Sequence, residues 1–301
     1  MPNIYQHIDS NKRDTIIIIV AFIAVVSFVG WFIGQYYFNG SGIPMAGFAL
    51  LFSGLSSVVS FYNSDKIVLA ISQAREVAEE ENHDLHNLVE NMSIASGILK
   101  PKIYMIDDTA MNAFATGRDP QHSTICFTSG IVERLEKREL EGVIAHEMSH
   151  IGNHDTLLMC VVSVLVGTIA LLSDWFTRGM FYGGRRRRSS SDSEIGGVLL
   201  LIGLVLVILS PIIATLIKLA ISRHREYLAD ASAALITRYP QGLANALKKL
   251  AADDEILEVA NSATAHLYID DPVAERRGGW LSSLFNTHPP IEERIQRLEC
   301  M

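Results

Sequence analysis

A five-residue motif, H-E-x-x-H, occupies positions 146–150 of this 301-residue chain. Apolar residues around it recur with helical spacing, so His146 and His150 lie on one face of a helix. Two imidazoles on one face can bind one zinc ion, and Glu147 then lies beside the metal. Zinc lowers the pKa of a bound water and polarises a carbonyl group, while a carboxylate transfers the protons. The motif therefore predicts hydrolysis of amide bonds.

A motif this short also has a plainer interpretation. Histidines four residues apart occur on solvated helix faces and as satisfied pairs in cores, so the match alone is a hypothesis. A zinc site with this motif needs at least one further protein ligand. The rest of the chain must supply that ligand for the prediction to hold.

The candidates for the third ligand lie downstream of the motif. His154 has the wrong register and is better explained as a solvated helix end, and position 156, where one class of zinc protease has a histidine, is a threonine. Glu226 and Asp230 lie four residues apart within residues 218–237, an amphipathic stretch without a helix breaker. One carboxylate can bind zinc while the other accepts a hydrogen bond from a ligand imidazole. Without the motif, the same residues would be assigned to a charged helix face.

The apolar residues are concentrated in long runs. No charged residue occurs between positions 15 and 64, and an uncharged turn divides this stretch into runs 15–38 and 43–62, each able to span a bilayer. No short apolar core with a small-residue cleavage site is present, so the first run is expected to be an uncleaved anchor. Positive residues flank the hairpin at both ends and are missing from its turn, which predicts that the N-terminus and the region after the hairpin face the cytoplasm.

Two further apolar segments, 156–173 and 195–217, follow the motif. The polar loop between them contains four consecutive arginines, 185–188, and is either a solvated loop or a contact with anionic lipid headgroups. If both segments cross the bilayer, this loop lies outside, against the positive-inside rule. A single crossing is excluded because His150 and Glu226 must lie on one side of the membrane to share a metal. The segments therefore cross twice or not at all.

The remaining residues have the composition of a soluble domain. Helical spacing covers residues 67–98 and the motif region 138–153, and Ser129 resembles an N-cap for a helix at 130–136. Short β runs are predicted at 102–106, 112–116 and 124–128, and residues 241–301 are predicted to be mostly helical. The expected fold is mainly α-helical, with up to four transmembrane helices and a zincin-like catalytic domain carrying a small β-sheet. The expected divisions are 1–14, 15–64, 65–155, 156–217 and 218–301.

Composition and charge exclude some functions. The formal net charge of −8 argues against general nucleic-acid binding. Cys126, Cys160 and Cys300 lack metal-ligand spacing and are expected to be small buried side chains, neither in disulfides nor bound to metal. A metal centre within the bilayer is not expected, because three charged residues lie next to the motif on its helix.

Four segments of the chain resemble the HtpX-type integral-membrane zinc peptidases, which are relatives of the CAAX prenyl protease. These segments are M-N-A-F-A-T-G at 111–117, the motif at 146–150, S-R-H-R-E-Y-L-A-D at 222–230 and T-H-P-P at 287–290. The resemblance covers nearly the whole chain, including the order of the apolar segments, although the arginine loop matches no motif.

The resemblance implies functions for individual residues. It implies that His146, His150 and Glu226 bind one zinc ion and that Glu147 is the general base. It also implies a bacterial inner-membrane endopeptidase with a cytoplasmic catalytic domain, acting on misfolded or damaged membrane proteins. The complete set of four residues argues against the alternative, a catalytically inactive membrane scaffold of the same fold. Substrate sequence, oligomeric state and regulation are not indicated.

Two weaker candidates lie outside the two helices. Asn112 begins a predicted strand, and such strands commonly pair with an extended substrate, although a turn residue is the plainer interpretation. His288 precedes two prolines and is otherwise a loop residue. By resemblance, both side chains face the oxyanion. Tyr227 and Arg294 are further candidates to lie near the site, without an assigned role.

Overall fold

The computed structural model describes residues 4–37, 40–168, 223–253, 255–259, 264–270 and 289–301. Its first two helices, α1 (Ile4–Tyr37) and α2 (Gly42–Ile71), form a helical hairpin. Both are long and apolar enough to cross a membrane, α1 over Ile8–Phe32 and α2 over its whole length. Helix α1 starts earlier than the predicted span because the polar residues before it continue the same helix.

A non-helical segment separates α2 from α3 (His83–Ser96), so the predicted continuous helix over 67–98 is wrong. A two-residue strand, β1 (Arg75–Glu76), lies in this segment. The Asn82 side chain accepts a hydrogen bond from the backbone N–H of Leu85 at 3.0 Å and so starts a new helix. Local capping therefore overrides an apolar spacing that looks continuous in the sequence.

The strands form one mixed sheet in the order β1-β2-β4-β3. The other strands are β2 (Lys102–Ile106), β3 (Ala113–Gly117) and β4 (Ser123–Thr128). Strands β2 and β4 are parallel, while β3 is antiparallel to β4. The three predicted strands are confirmed to within one residue at each end, and β3 lies at an edge of this sheet.

Helix α4 (Ser129–Arg134) follows β4 directly. Its N-cap is Thr128, whose hydroxyl accepts from the backbone N–H of Ile131, so the predicted cap at Ser129 is wrong. The hydroxyl of Ser129 instead donates to the carbonyl of Asp108 at 2.9 Å. A tertiary hydrogen bond thus takes the side chain that the local sequence assigned to the cap.

The motif helix, α5 (Lys137–Gly152), is buried along most of its length. It crosses α8 (Pro240–Ala251) at a pair of glycines. A Cβ at Gly142 would lie 2.6 Å from the Leu243 nitrogen, and one at Gly242 would lie 2.4 Å from the Arg138 carbonyl oxygen. The two backbones therefore touch, and this contact holds the motif helix within the core.

A sharp corner of 82° joins α5 to α6 (Asp155–Thr168). His154 lies at this corner in the left-handed backbone region, with φ of 58°. Helix α6 accounts for most of the third apolar segment, and its side chains Leu158 and Val162 pack in one apolar cluster with Ile18 of α1. The fourth apolar segment and the arginine run 185–188 lie outside the described residues.

Two helices complete the described chain. Helix α7 (Arg223–Thr237) is the described part of the predicted helix 218–237, and α9 (Ile291–Glu299) is the last described helix. A second apolar cluster packs the sheet, α3, α8 and α9 around the motif helix α5. The observed architecture is therefore the expected one, mainly helical with a small sheet and a hairpin of two candidate membrane-spanning helices.

Candidate metal centre

Helices α5 and α7 bring three ligand atoms together in the core. The Nε2 atoms of His146 and His150 are 3.2 Å apart, and they lie 3.6 Å from Oε2 and Oε1 of Glu226, respectively. In a tetrahedral zinc site with bonds of about 2.0–2.1 Å, neighbouring ligand atoms are about 3.3 Å apart. The two imidazole nitrogens and the Glu226 carboxylate, called the ligand triangle below, therefore lie close to the spacing of a zinc site. The triangle is also the one such group of three or more side chains found in the part of the chain that the structure describes.

The outward-facing nitrogen of each imidazole meets a second carboxylate. His146 Nδ1 is 3.0 Å from Asp230 Oδ1, and His150 Nδ1 is 3.0 Å from Asp155 Oδ2. Because a carboxylate can only accept, each Nδ1 must donate, which leaves each Nε2 free to offer a lone pair to a metal. Two lone pairs and a carboxylate oxygen converge in a buried space, and this arrangement needs a positive charge at its centre.

The neighbouring carboxylates also favour a proton on His150. Burial by itself would lower the pKa of His150, but the hydrogen bond to Asp155 and the negative charge of Glu226 raise it to about 9. A protonated imidazole cannot bind a metal, so metal binding must release this proton. The donor set therefore fits a divalent cation that competes with protons.

Asp230 is held in place by a buried arginine. Arg294 donates from Nε to Asp230 Oδ2 at 2.9 Å and from Nη2 to Oδ1 at 2.8 Å, a bidentate pair. Burial raises the pKa of Asp230, but Arg294 and His146 more than offset this and lower it to about 2. Asp230 therefore stays ionised at neutral pH and can orient the ring of His146.

Two residues of this centre were missed or left without a role by sequence reasoning. Arg294 is only 1% exposed, and its position soon after the T-H-P-P segment was the available signal. Asp155, also 1% exposed, is the acidic residue that begins the apolar helix α6. An acidic residue beside a long apolar run indicates a buried carboxylate with a specific partner, because an unpaired buried charge would be costly.

Glu147 lies on α5 between the two histidines and is buried. Burial raises its pKa, while the charges of His146 and His150 act in the opposite direction. Its carboxylate accepts a hydrogen bond from the backbone N–H of Ala115, a residue of the edge strand β3. The candidate base is therefore next to the strand with which an extended peptide could pair.

The weaker candidates have different surroundings. The Asn112 amide donates to the carbonyl of Asp270 at 3.0 Å, and its oxygen accepts from the backbone N–H of Ala113. Tyr227 does not join the ligand triangle, and its ring stacks under the guanidinium of Arg297 at 3.7 Å. His288 lies outside the described residues.

His154, the alternative third ligand, is absent from the triangle, and we expect His154→Gly to keep the metal. Glycine adopts the left-handed backbone region without strain, and a non-glycine residue held there costs about 1–3 kcal/mol. The variant should therefore be as stable as the parent protein or more stable. Zinc content and thermal unfolding of the purified protein measure both expectations, and loss of zinc would make His154 a ligand.

Comparisons with known proteins show the family of this chain. The model of peptidase family M48 matches residues 79–301. A protein named protease HtpX homolog from Caldanaerobacter subterraneus is 46% identical over 299 residues, covering 99% of this chain and 98% of the relative. The homolog from Dictyoglomus turgidum is 45% identical, covering 99% and 94%, and that from Ligilactobacillus salivarius is 40% identical, covering 99% and 100%.

The fold is also similar to a solved structure. The crystal structure of S. mikatae Ste24p superposes with a TM-score of 0.51 at 20% sequence identity, covering 94% of this chain. This chain spans 62% of the length of that protein.

Proposed function

The chain belongs to peptidase family M48 and is an HtpX-type metalloprotease of a bacterial membrane, and we propose that its metal is one zinc ion held by His146, His150 and Glu226. We assign Glu147 as the general base. The observation that best supports the three metal ligands is their burial around one point, with the two Nε2 atoms 3.2 Å apart and each 3.6 Å from one of the two oxygens of Glu226. Proteins of this family are generally zinc-dependent, which agrees with the nitrogen and oxygen donors of the site.

A bound zinc ion supplies a water of lowered pKa and polarises the scissile carbonyl group. Glu147 takes the proton of the attacking water and delivers it to the leaving amine. Its burial raises its pKa, which suits a group that must both accept and release a proton. Asp230 and Asp155 fix the two imidazoles in the tautomer that offers Nε2 to the metal.

The substrate chain is proposed to pair with the outer edge of β3. Strand addition recognises backbone and therefore accepts many sequences, which suits unfolded or damaged membrane proteins as substrates. Asn112 and His288 are proposed as donors to the carbonyl oxygen as its negative charge develops. For Asn112 this requires the substrate carbonyl to replace Asp270 as the acceptor of the amide.

We expect the purified protein to contain one zinc ion per chain and to lose proteolysis on chelation. Returning zinc should restore cleavage of an unfolded test protein, because the ligands lie on buried helices that stay folded without the metal. Metal analysis and cleavage rates before and after chelation measure this. A zinc-loaded protein that cleaves no unfolded substrate would instead support an inactive scaffold.

The division into 1–14, 15–64, 65–155, 156–217 and 218–301 is proposed to follow the membrane. The hairpin crosses the bacterial inner membrane twice, so its two ends lie on the same side. Both halves of the catalytic domain then lie in the cytoplasm. Two crossings by segments 156–173 and 195–217 would keep this arrangement.

Thiol labelling in intact cells is expected to show this orientation. A cysteine at Ser41, in the turn of the hairpin, should react with an impermeant reagent, whereas Cys300 should react only after the membrane is opened. Cys300 is exposed, which corrects the expectation that all three cysteines are buried, while Cys126 and Cys160 are buried and need not be replaced. The Ser41→Cys variant is made with Cys300→Ser, and Ser41 is preferred to Gly40, whose φ of 86° disfavours a side chain. The reverse labelling pattern would place the catalytic domain outside the cell.

A further inference from the structure

The first membrane helix reaches the metal centre through one buried side chain. Asn11 of α1 is 4% exposed, and its amide nitrogen donates to Asp155 Oδ1 at 2.7 Å and to the carbonyl of Asn153 at 2.9 Å. Both N–H groups of the amide are thereby used. More than 140 residues separate Asn11 from these two acceptors in the sequence.

The acceptor Asp155 is the residue that orients a candidate zinc ligand. Its Oδ1 accepts from Asn11, while its Oδ2 is 3.0 Å from His150 Nδ1. Arg225 of α7 also lies near this carboxylate, but its Nε is 3.7 Å from Oδ1, beyond hydrogen-bond distance. Asn11 therefore makes the short hydrogen bond to Oδ1, while Oδ2 is left to His150.

The corner between α5 and α6 leaves buried acceptors that need hydrogen-bond donors from another helix. His154 has φ of 58°, and the carbonyl of Asn153 and the carboxylate of Asp155 are both buried at this bend. Buried acceptors without donors are costly, and hydrogen bonds to a charged acceptor are the stronger ones. One amide on α1 satisfies both acceptors and ties the bend to the hairpin.

We propose that Asn11 is a positioning residue for the metal ligand His150, acting through Asp155. Helix α1 is then part of the support of the metal centre as well as a membrane anchor. This inference rests on the proposed function, because it requires that His150 binds the metal. Groups that orient metal ligands typically contribute about 10–100-fold to metal affinity, and Asn11 acts one step further out.

The test compares zinc affinity of full-length variants in detergent, by competition with a zinc-binding dye. Asn11→Ala is expected to weaken zinc binding about tenfold, at the low end of the range for orienting groups. Asn11→Asp keeps the shape of the side chain but removes both donors, and should weaken binding at least as much. Thr15→Val is the matched control, because Thr15 is equally buried on α1 and its hydroxyl bonds to the carbonyl of Asn11 within the helix. Its zinc affinity should equal that of the parent protein.

Two further measurements separate positioning from a general loss of packing. In an Asp155→Asn background, Asn11→Ala should cause no additional loss of affinity, since residues that act through one another are non-additive. The visible absorption of the cobalt(II)-loaded protein, which reports ligand geometry, should shift in Asn11→Ala and not in Thr15→Val. Equal losses in both backgrounds, or an unchanged affinity in Asn11→Ala, would overturn the inference. A parent protein that binds no zinc would overturn the proposed function instead.

Discussion

Glu226→Ala is expected to remove zinc from the purified protein and to abolish proteolysis. Glu226 supplies the one carboxylate of the ligand triangle, 3.6 Å from each Nε2 atom, and alanine leaves only two ligands. Two imidazoles alone do not complete a zinc site of this type, which uses three protein ligands. Metal analysis of the variant, purified without added zinc, measures the loss.

Asp230→Ala provides the graded comparison for this experiment. Asp230 touches the ring of His146 and not the metal position, so its loss should weaken zinc binding by about 10–100-fold without abolishing it. Glu292→Ala, an exposed carboxylate on α9, is the control and should bind zinc normally. Full zinc occupancy in Glu226→Ala would show that the third ligand lies elsewhere, with His154 the next residue to replace.

Glu147→Gln is expected to keep zinc and to lose kcat by roughly 10²–10⁴-fold, the usual contribution of a general base. Glutamine has the shape of glutamate and can still meet the Ala115 backbone, but it cannot accept the proton of water. Zinc content and thermal stability should therefore stay close to those of the parent protein. Steady-state cleavage of an unfolded protein measures the loss, with KM expected to change little.

Glu141→Gln is the matched control for the base. Glu141 lies on the same helix and is half-buried, outside the ligand triangle. This variant should keep both zinc and kcat. A Glu147→Gln enzyme that cleaves at the parent rate would remove Glu147 from the mechanism, while one that also loses zinc would show that Glu147 supports the metal.

Glu226→Ala and Glu147→Gln separate the residues that bind the metal from the residue that transfers protons. Glu226 and the two histidines are expected to control whether zinc is present, and Glu147 is expected to control what the bound water does. The buried pair of Asp230 and Arg294 lies behind the first group, because Arg294 keeps the Asp230 carboxylate ionised and directed at His146. Substitutions there should change zinc affinity more than the protonation of Glu147.

Local patterns in the sequence were enough for the main elements of the fold. A period of 3.6 residues places His146 and His150 on one helix face, and the same spacing relates Glu226 to Asp230. Long uncharged runs identify the hairpin because a bilayer tolerates few charges. Where capping competed with periodicity, as at Asn82 and Thr128, element ends differed from the prediction.

The supports of the metal centre depend on contacts that no local pattern contains. Arg294 meets Asp230 across 64 residues, and Asn11 meets Asp155 across 144 residues. Spacing along one helix determines which residues share a face, but only the packing of helices decides which buried donor faces which buried acceptor. The sequence by itself therefore determined the candidate ligands and the base. The tertiary structure decided that Asn11 of α1 and Arg294 of α9 contact the carboxylates behind the two histidines, because buried charges must find partners wherever the folded chain places them.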